Sequence, residues 1–286
     1  MKTSLDHLPK EQFDQLSRIV QTIIHTISIS PEKIILLDKD TLSKWIGLPQ
    51  TESHYDILII TGMMDIEHPR HELDMLDTME AEYNFNVPVN IMTYSIDFVN
   101  TRLRQAHYFF SEIINKGTLL FDAGNTPLTE IGIPSGFEKQ YTLKKTKESV
   151  EKWLRHATKL TKAADGYLNE NDPELAMFML HQSAIYIYNA AILVFLGYTP
   201  DTHNLETLRR ICRHFSVELA NVFKTKEEYY DMTTRMFNNY TARSHMVLHF
   251  IIDLPNVLIL ADKVKELQSI ADRLCHEKIT FLETVE

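Results

Sequence analysis

The chain of 286 residues is 44% hydrophobic and 24% charged, which suits two globular domains and excludes a disordered chain or a fibre. Its two cysteines, Cys212 and Cys275, are too few for a disulfide framework, and no apolar segment leads the chain as a signal peptide would. The apolar stretch 185–196 is too short to span a bilayer, so we expect a cytoplasmic protein that does not partner a membrane.

The net charge of −10 is unevenly distributed along the chain. Residues 1–135 contain 10 Lys+Arg and 19 Asp+Glu, a balance of −9, whereas residues 136–286 contain 19 and 20, a balance of −1. An acidic half repels a phosphate backbone unless a metal ion intervenes, so nucleic-acid contact is expected in the second half. A basic cluster lies there, for which a solvated helix face is the alternative interpretation. Its members are Lys144, Lys145, Lys147, Lys152, Arg155, Lys159 and Lys162.

The first half alternates predicted strands with predicted helices. A helix is predicted over 9–27, and apolar spacing predicts two more, over 68–81 and over 96–116 with a stop at Lys116-Gly117. This alternation is typical of a small α/β layer with a mixed sheet. The strands are predicted from short apolar runs at 34–37, 54–61, 89–94 and 118–121.

Residues 124–136 contain two prolines and three glycines without a periodic apolar face, which is typical of a linker. Everything after them has the pattern of helices. We therefore predict an α+β protein with one domain at 1–135 and an all-α helical bundle at 136–286. Helices of the bundle are predicted at 143–165, 173–197, 202–214, 216–223, 226–248 and 256–284.

An aspartate enters the otherwise apolar strand 54–61, in the run Tyr55-Asp56-Ile57-Leu58. An aspartate inside an apolar strand usually has a function. The alternative interpretation is that Asp56 only marks the point where the strand enters from solvent. A polymerase-type nucleotidyl transfer needs two carboxylates at alternate positions of one strand and a third from a neighbouring strand, which together hold divalent metal on a triphosphate. The alternate partner of Asp56 is His54, which is not a carboxylate.

Three further phrases follow in the second half: 178–184 (FMLHQSA), 202–205 (THNL) and 240–243 (YTAR). With the strand at Asp56, this order of parts resembles the nucleotidyltransferase plus HEPN fusion proteins of prokaryotes, and the HEPN resemblance spans roughly 140–284. Asn204 stands where the HEPN phrase usually has Asp. The residues that fit the HEPN pattern are Leu180, Gln182, Ala184, Gly197 and His203.

The resemblance implies a degenerate transferase site. Residues 38–41 (DKDT) replace the family's Gly-Ser turn, whose amides cradle phosphate. His54 replaces the first metal aspartate, Asp56 matches the second, and Asn90 stands where the neighbouring strand brings the third carboxylate. One carboxylate of three is not enough to hold two divalent ions, so we expect an inactive transferase domain. The domain is still expected to be able to bind a nucleotide. The residues for this are His54, Asp56 and Asn90, with Mg²⁺ bound by Asp56.

HEPN members that cleave RNA carry an Arg, four to six residues and a His near their last helices, and two copies form a metal-independent site across a dimer. Arg243 and His249 fit this pattern, with five residues between them. In RNA cleavage the imidazole removes a proton from the 2′-hydroxyl of the RNA, and the arginine binds the phosphate. A packed core histidine is the alternative for His249. Residues six apart on a helix are separated by about 120°, so the pair needs a broken helix or a dimer to share a site.

Two groups of residues have both a bundle interpretation and a binding interpretation. Thr202 is expected to cap a helix, and His181 and His203 to hydrogen-bond between helices. A basic strip near aromatic residues is able to stack on bases, although aromatics on a bundle helix are more often core. The strip is Arg209, Arg210, Arg213 and His214, and the aromatics are Tyr186, Tyr188 and Tyr198.

These observations favour a cytoplasmic, homodimeric, nucleotide- or RNA-associated binding module with an inactive nucleotidyltransferase-like domain. Three alternatives remain. The first is a HEPN ribonuclease of toxin type, which would use Arg243 and His249. The second is an active transferase that modifies a protein or a small acceptor through Asp56. The third is a purely structural interaction protein.

Overall fold

The computed structural model describes residues 1–2, 9–26, 30–37, 55–62, 89–133, 136–200, 202–223, 237 and 254–285. The chain forms two compact units, Met1–Gly136 and Phe137–Glu286. Within the described ranges, the first unit combines a mixed sheet with helices, and the second is helical throughout. The predicted α+β class is therefore confirmed.

Four strands form the sheet of the first unit, in the order β3-β2-β1-β4. Strand β1 is antiparallel to β2 and to β4, whereas β2 and β3 are parallel. All four predicted strands are present, and β1 begins three residues earlier than expected. Their bounds are β1 Pro31–Leu36, β2 Tyr55–Thr61, β3 Val89–Ser95 and β4 Thr118–Asp122.

Helix α1 (Lys10–Thr26) covers one face of this sheet. Its apolar positions recur every three or four residues, so they form one stripe that packs on alternate residues of the strands. Tyr55 extends the contact, since its Oη donates a hydrogen bond to Oε1 of Gln15 at 2.9 Å. The buried core between helix and sheet consists of Leu16, Ile19, Ile23, Ile34, Ile57, Ile59 and Ile91.

The prediction of one helix over 96–116 is wrong, because the segment forms α2 (Ile96–Arg104) and α3 (Tyr108–Lys116). Ala106 separates them with a left-handed φ of 49°. In a continuous helix Phe109 would lie about 120° around the axis from Leu103, and the break lets both side chains be buried. The predicted helix over 68–81 lies outside the described residues.

The second unit contains five helices among its described residues. Helix α4 begins seven residues before its predicted start, and the predicted helix over 226–248 lies outside the described residues. Their bounds are α4 Gly136–Asn169, α5 Pro173–Leu196, α6 Leu205–Arg213, α7 Val217–Asn221 and α8 Leu254–Val285.

Helix α5 is the core of this unit. Asp172 caps its start, because its Oδ1 accepts a hydrogen bond from the Leu175 amide at 3.1 Å, and the left-handed Gly197 (φ 70°) ends it. The helix packs against α8 and α6, and Ser183 ties it to α4 by donating to the Ala157 carbonyl at 3.0 Å. Apolar residues lie all round α5, as expected for a helix most of whose surface is buried.

Within the described part of the chain, α5 is also the one helix long and apolar enough to cross a membrane by length and composition. The expectation that this segment is too short therefore does not hold, since the helix has 24 residues. However, 72% of its most apolar 18-residue window is buried inside the unit. Such burial is typical of the core helix of a globular domain.

Gly117 offers a test of packing in the first unit. A Cβ at this position would lie 2.6 Å from the Ile113 carbonyl oxygen and 2.7 Å from Cγ2 of Ile35. We expect Gly117→Ala to lower the free energy of unfolding by ~1–3 kcal/mol, because backbone and a core side chain would have to shift. Chemical denaturation followed by circular dichroism measures the change.

Gly166→Ala is the matched control, because a Cβ at this position in α4 meets nothing within 4 Å. We expect the control to raise stability by ~0.5–1 kcal/mol through helix propensity. Equal stability of the two variants would contradict the close packing at Gly117.

Candidate functional site

Asp56 lies where three strands of the sheet meet. Antiparallel pairing places the end of β1 beside the start of β2, and the Leu37 amide donates to the Asp56 carbonyl at 2.9 Å. Parallel pairing places the start of β3 on the other side, with Asn90 as the Cα partner of Asp56. The structure therefore brings together two of the three positions predicted for nucleotide binding. His54 and the turn at 38–41 lie outside the described residues.

The side chain of Asp56 lies on the sheet face opposite α1. Successive residues of a strand point to opposite faces, and Ile57 and Ile59 of β2 pack in the core beneath α1. Asp56 shares its face with Leu58 and Ile60, which are fully buried, and its own exposed fraction is 3%. The Asp56 side chain is thus buried on this face of the sheet. The interpretation that Asp56 only marks the point where the strand enters from solvent is therefore disfavoured.

The donor set around Asp56 is poor for a two-metal site. Divalent ions such as Mg²⁺ prefer several carboxylate oxygens, and the residue in register with Asp56 on β3 is an asparagine. In the ranges that the structure describes, no group of three or more His, Cys, Asp or Glu side chains is placed to hold a metal ion. Mg²⁺ on Asp56 stays a prediction.

In the second unit, the phrase over 178–184 lies in the buried helix α5. His181 is 1% exposed, and its ring stands edge-on to Phe237 with the ring centres 5.8 Å apart. Burial, together with the neighbouring charge of His203, lowers the pKa of His181 to about 4. The imidazole is therefore neutral at pH 7. Its surroundings are those of a packed bundle residue.

The phrase over 202–205 begins helix α6, but the expected cap is wrong. Asn204 caps the helix, because its Oδ1 accepts hydrogen bonds from the amide of Thr207 at 3.0 Å and from its hydroxyl at 3.3 Å. Thr202 lies two residues before the capping residue, and its Oγ1 accepts a hydrogen bond from the Asn204 amide at 3.2 Å. Asparagine at the usual aspartate position thus keeps the capping geometry without the charge.

Two of the four residues of the basic strip on α6 are paired within the protein. Arg209 donates from Nε to Glu206 at 2.9 Å and from Nη1 to the Ala220 carbonyl at 2.8 Å, and Arg210 donates from Nε to Glu206 at 2.9 Å. Burial alone would raise the pKa of Glu206, but these arginines outweigh it and hold the pKa below its usual value. Arg209 and Arg210 therefore stabilise the bundle through these contacts.

Tyr188 and Tyr186 lie within the bundle. Tyr188 is fully buried on α5 and donates from Oη to the Leu219 carbonyl at 3.3 Å. Tyr186 stands edge-on to His156 of α4, with ring centres 5.7 Å apart. The core interpretation of the aromatic residues on α5 is thus supported, and stacking on bases by Tyr188 is excluded by its burial.

Lys278 on α8 is a buried cation that the sequence analysis missed. It is 3% exposed, and its Nζ lies 4.5 Å from the ring centre of Phe281 and 5.6 Å from that of Phe195. Burial lowers its pKa to about 6. A signal was present in the sequence, because Lys278 continues the apolar stripe of α8 one step beyond Leu274.

Residues 150–244 match the family model of the HEPN domain. The second unit is therefore similar to the HEPN domain over these residues, which agrees with that part of the resemblance seen in the sequence. Arg243 lies inside the matched range and His249 outside it, and both lie outside the described residues, so their role in RNA cleavage stays a prediction.

Comparison with solved structures found a nucleotidyltransferase-like protein from Exiguobacterium sibiricum 255-15. The alignment covers 93% of this chain and 78% of that protein, with 12% identity and a TM-score of 0.29. A TM-score this low does not show that the two proteins share a fold. The first unit is therefore interpreted from its own strand arrangement. No curated protein is significantly similar to the chain.

Lys278 generates a prediction about pH. The unfolded lysine binds a proton below about pH 10.5, whereas the folded one does so only below about 6, so folding costs progressively more as the pH falls through this window. We expect Lys278→Met to raise the melting temperature, with a larger gain at pH 7 than at pH 10. Thermal unfolding at the two pH values measures the difference.

Lys263→Met is the control on the same helix, because Lys263 is partly exposed and pairs at the surface with Glu266 at 2.9 Å. Its effect should be small at both pH values. A gain for Lys278→Met that is the same at pH 7 and pH 10 would show that Lys278 stays protonated in the folded protein.

Proposed function

We propose that the protein is a nucleotide- or RNA-associated binding module whose first unit has a nucleotidyltransferase-like sheet without transferase activity. The HEPN domain supports a function related to nucleotides or RNA in general terms. The observation that carries the finer proposal is the pairing of Asp56 with Asn90 at the start of β2 and β3. An amide stands where transfer chemistry needs a carboxylate, so this edge is suited to holding a nucleotide rather than to activating two metal ions.

The place of Asp56 is consistent with this role. Its strand is the one flanked by β1 and β3, and the end of β1 adjoins it, which is where the family's phosphate-binding turn would follow. The side chain is held by a buried strand and is therefore preorganised toward one face of the sheet. A single carboxylate in this position can orient one bound cation or a donor group of a nucleotide.

We propose further that the protein acts in the cytoplasm as a homodimer. The support for dimers is the resemblance of its second half to HEPN proteins, in which two copies face each other. Sedimentation of the full chain across a hundredfold range of concentration tests this part separately from ligand binding.

A thermal-shift titration tests nucleotide binding by the first unit. We expect ATP or GTP with Mg²⁺ to raise the melting temperature of the wild-type protein by several degrees, because a ligand that binds only the folded state stabilises it by mass action. Asp56→Asn preserves the shape of the side chain and removes its charge, so the Mg²⁺-dependent part of the shift should disappear.

Asp97→Asn is the matched control, since Asp97 is an exposed carboxylate in the first turn of α2 in the same unit. The shift should survive in this variant. Nucleotide turnover by the wild-type protein, followed by release of phosphate or pyrophosphate, would contradict the proposed inactivity. Absence of any shift with nucleotide, together with absence of RNA binding, would overturn the proposed function.

A further inference from the structure

Helix α4 carries its cations on one exposed arc. At 3.6 residues per turn, the six side chains of the arc fall within about 100° around the helix axis. All six are exposed. We call this set the α4 basic track. It consists of Lys144, Lys145, Lys152, Arg155, Lys159 and Lys162.

The opposite side of α4 anchors the helix in the bundle. Val150, Ala157 and Ala164 are at most 1% exposed, and Thr161 hydrogen-bonds to Ser183 of α5 across 2.8 Å. These residues lie about 180° from the centre of the track. The cations therefore project from a helix whose rotation about its axis is set by packing, so their spacing is preorganised.

Among the described residues, five of the six cations have no ion-pair partner. Lys145 lies 3.5 Å from Glu148, but within the described part of the chain no carboxylate lies within 4 Å of the charged groups of the other track residues. Helices α6 and α8 differ, because Arg209 and Arg210 share Glu206 and Arg273 is paired with Glu218. A charged face that serves only solubility usually alternates its signs, as α8 does.

The middle of the track is free of negative charge. Glu148 and Glu151 lie near its start, which leaves an excess of four positive charges over the whole arc. No Asp or Glu occurs between Lys152 and Lys162, a span of about 15 Å along the helix. Because the chain as a whole has a net charge of −10, this continuous positive strip is a local exception. Such a strip attracts a polyanion at close range.

An exposed aromatic residue extends the same arc. Tyr141 lies about one turn before Lys144 and Lys145, and its exposed fraction is 55%. The Nζ of Lys145 lies 5.7 Å from the centre of the Tyr141 ring. A linear row of cations that ends in an exposed aromatic ring is the combination that binds the phosphates of a single strand and stacks one of its bases.

We propose that the α4 basic track binds the backbone of single-stranded RNA, with Tyr141 stacking on a base at one end. The proposal rests on the proposed function and names the surface and the strandedness of its RNA ligand. The track is straight and about 27 Å long from Lys144 to Lys162, which matches a contact of several nucleotides. A duplex is less suited, because it offers no unstacked base to Tyr141.

Fluorescence anisotropy of the full-length protein with a labelled single-stranded 12-nucleotide RNA tests the proposal, at KCl concentrations from 50 to 200 mM. The test variant carries Lys152→Gln, Arg155→Gln and Lys159→Gln, which keep helix propensity and solubility. We expect its dissociation constant to rise by about tenfold or more at 50 mM KCl. The slope of log K against log[salt] should become shallower by about 2, since three phosphate contacts are lost.

A charge-matched control carries Lys10→Gln, Lys139→Gln and Lys263→Gln, which remove three positive charges away from the track. It should bind RNA as the wild-type protein does. Tyr141→Ala should weaken binding without changing the salt slope, and Tyr141→Phe should restore it. Unchanged circular dichroism and melting temperature establish that each variant is folded.

Three results would overturn the proposal. If the track variant binds with the affinity and slope of the control, RNA binds elsewhere, and the proposed function survives while this surface does not. If the wild-type protein prefers a duplex of the same sequence, the single-strand assignment is wrong. If the wild-type protein does not bind RNA at all, this proposal fails, and the nucleotide titration of the first unit decides alone whether the proposed function stands.

Discussion

The burial of most of the surface of α5 is the constraint on which the second unit depends. A 24-residue apolar helix cannot be left in water, so α4, α6 and α8 must each present an apolar surface to it. For α4 this requirement fixes which side of the helix faces inward. Its charged residues are then forced onto the outward arc, where their spacing follows the helical repeat. A surface suited to phosphates is thus a geometric consequence of packing the core.

The first unit is organised by a different constraint, the position of β2 between an antiparallel and a parallel neighbour. This mixed pairing brings the end of β1 and the starts of β2 and β3 to one edge of the sheet. The described residues that meet there come from these three chain segments. The sequence places one carboxylate at this edge and an amide opposite it, so the fold supplies the meeting point while the residues limit its chemistry.

Much of this fold was predictable because strong local patterns coincide with tertiary burial. The strands are short apolar runs, and α5 begins at Asp172-Pro173 and ends at Gly197, which are strong cap signals. The break between α2 and α3 was not predictable in the same way. The break places Ala106 in the left-handed region. Glycine favours that region and alanine does not, so the sequence gives no signal for the break.

The site residues show where sequence patterns lose information. Arg209 and Arg210 have the pattern of a free basic strip in the sequence, and only the folded helix shows that both pair with Glu206. Lys278 shows the reverse, because a lysine is normally exposed, yet the stripe of α8 carries it into the core. Spacing predicts which face a residue occupies, but whether that face is buried or already paired depends on other elements of the fold.

These features together suggest how such a protein handles phosphate groups. A nucleotidyltransferase neutralises them with metal ions held by several carboxylates, whereas among the described residues the sheet edge at Asp56 and Asn90 pairs one carboxylate with one amide. The use proposed for the α4 basic track is the opposite solution, since its cations would contact phosphate directly and need no metal. Direct contact depends on counterion release, so it weakens steeply with salt, whereas a metal-bridged contact depends on the cation supplied. The two modes of phosphate recognition are therefore separable by experiment, and the charges of this chain favour the direct one.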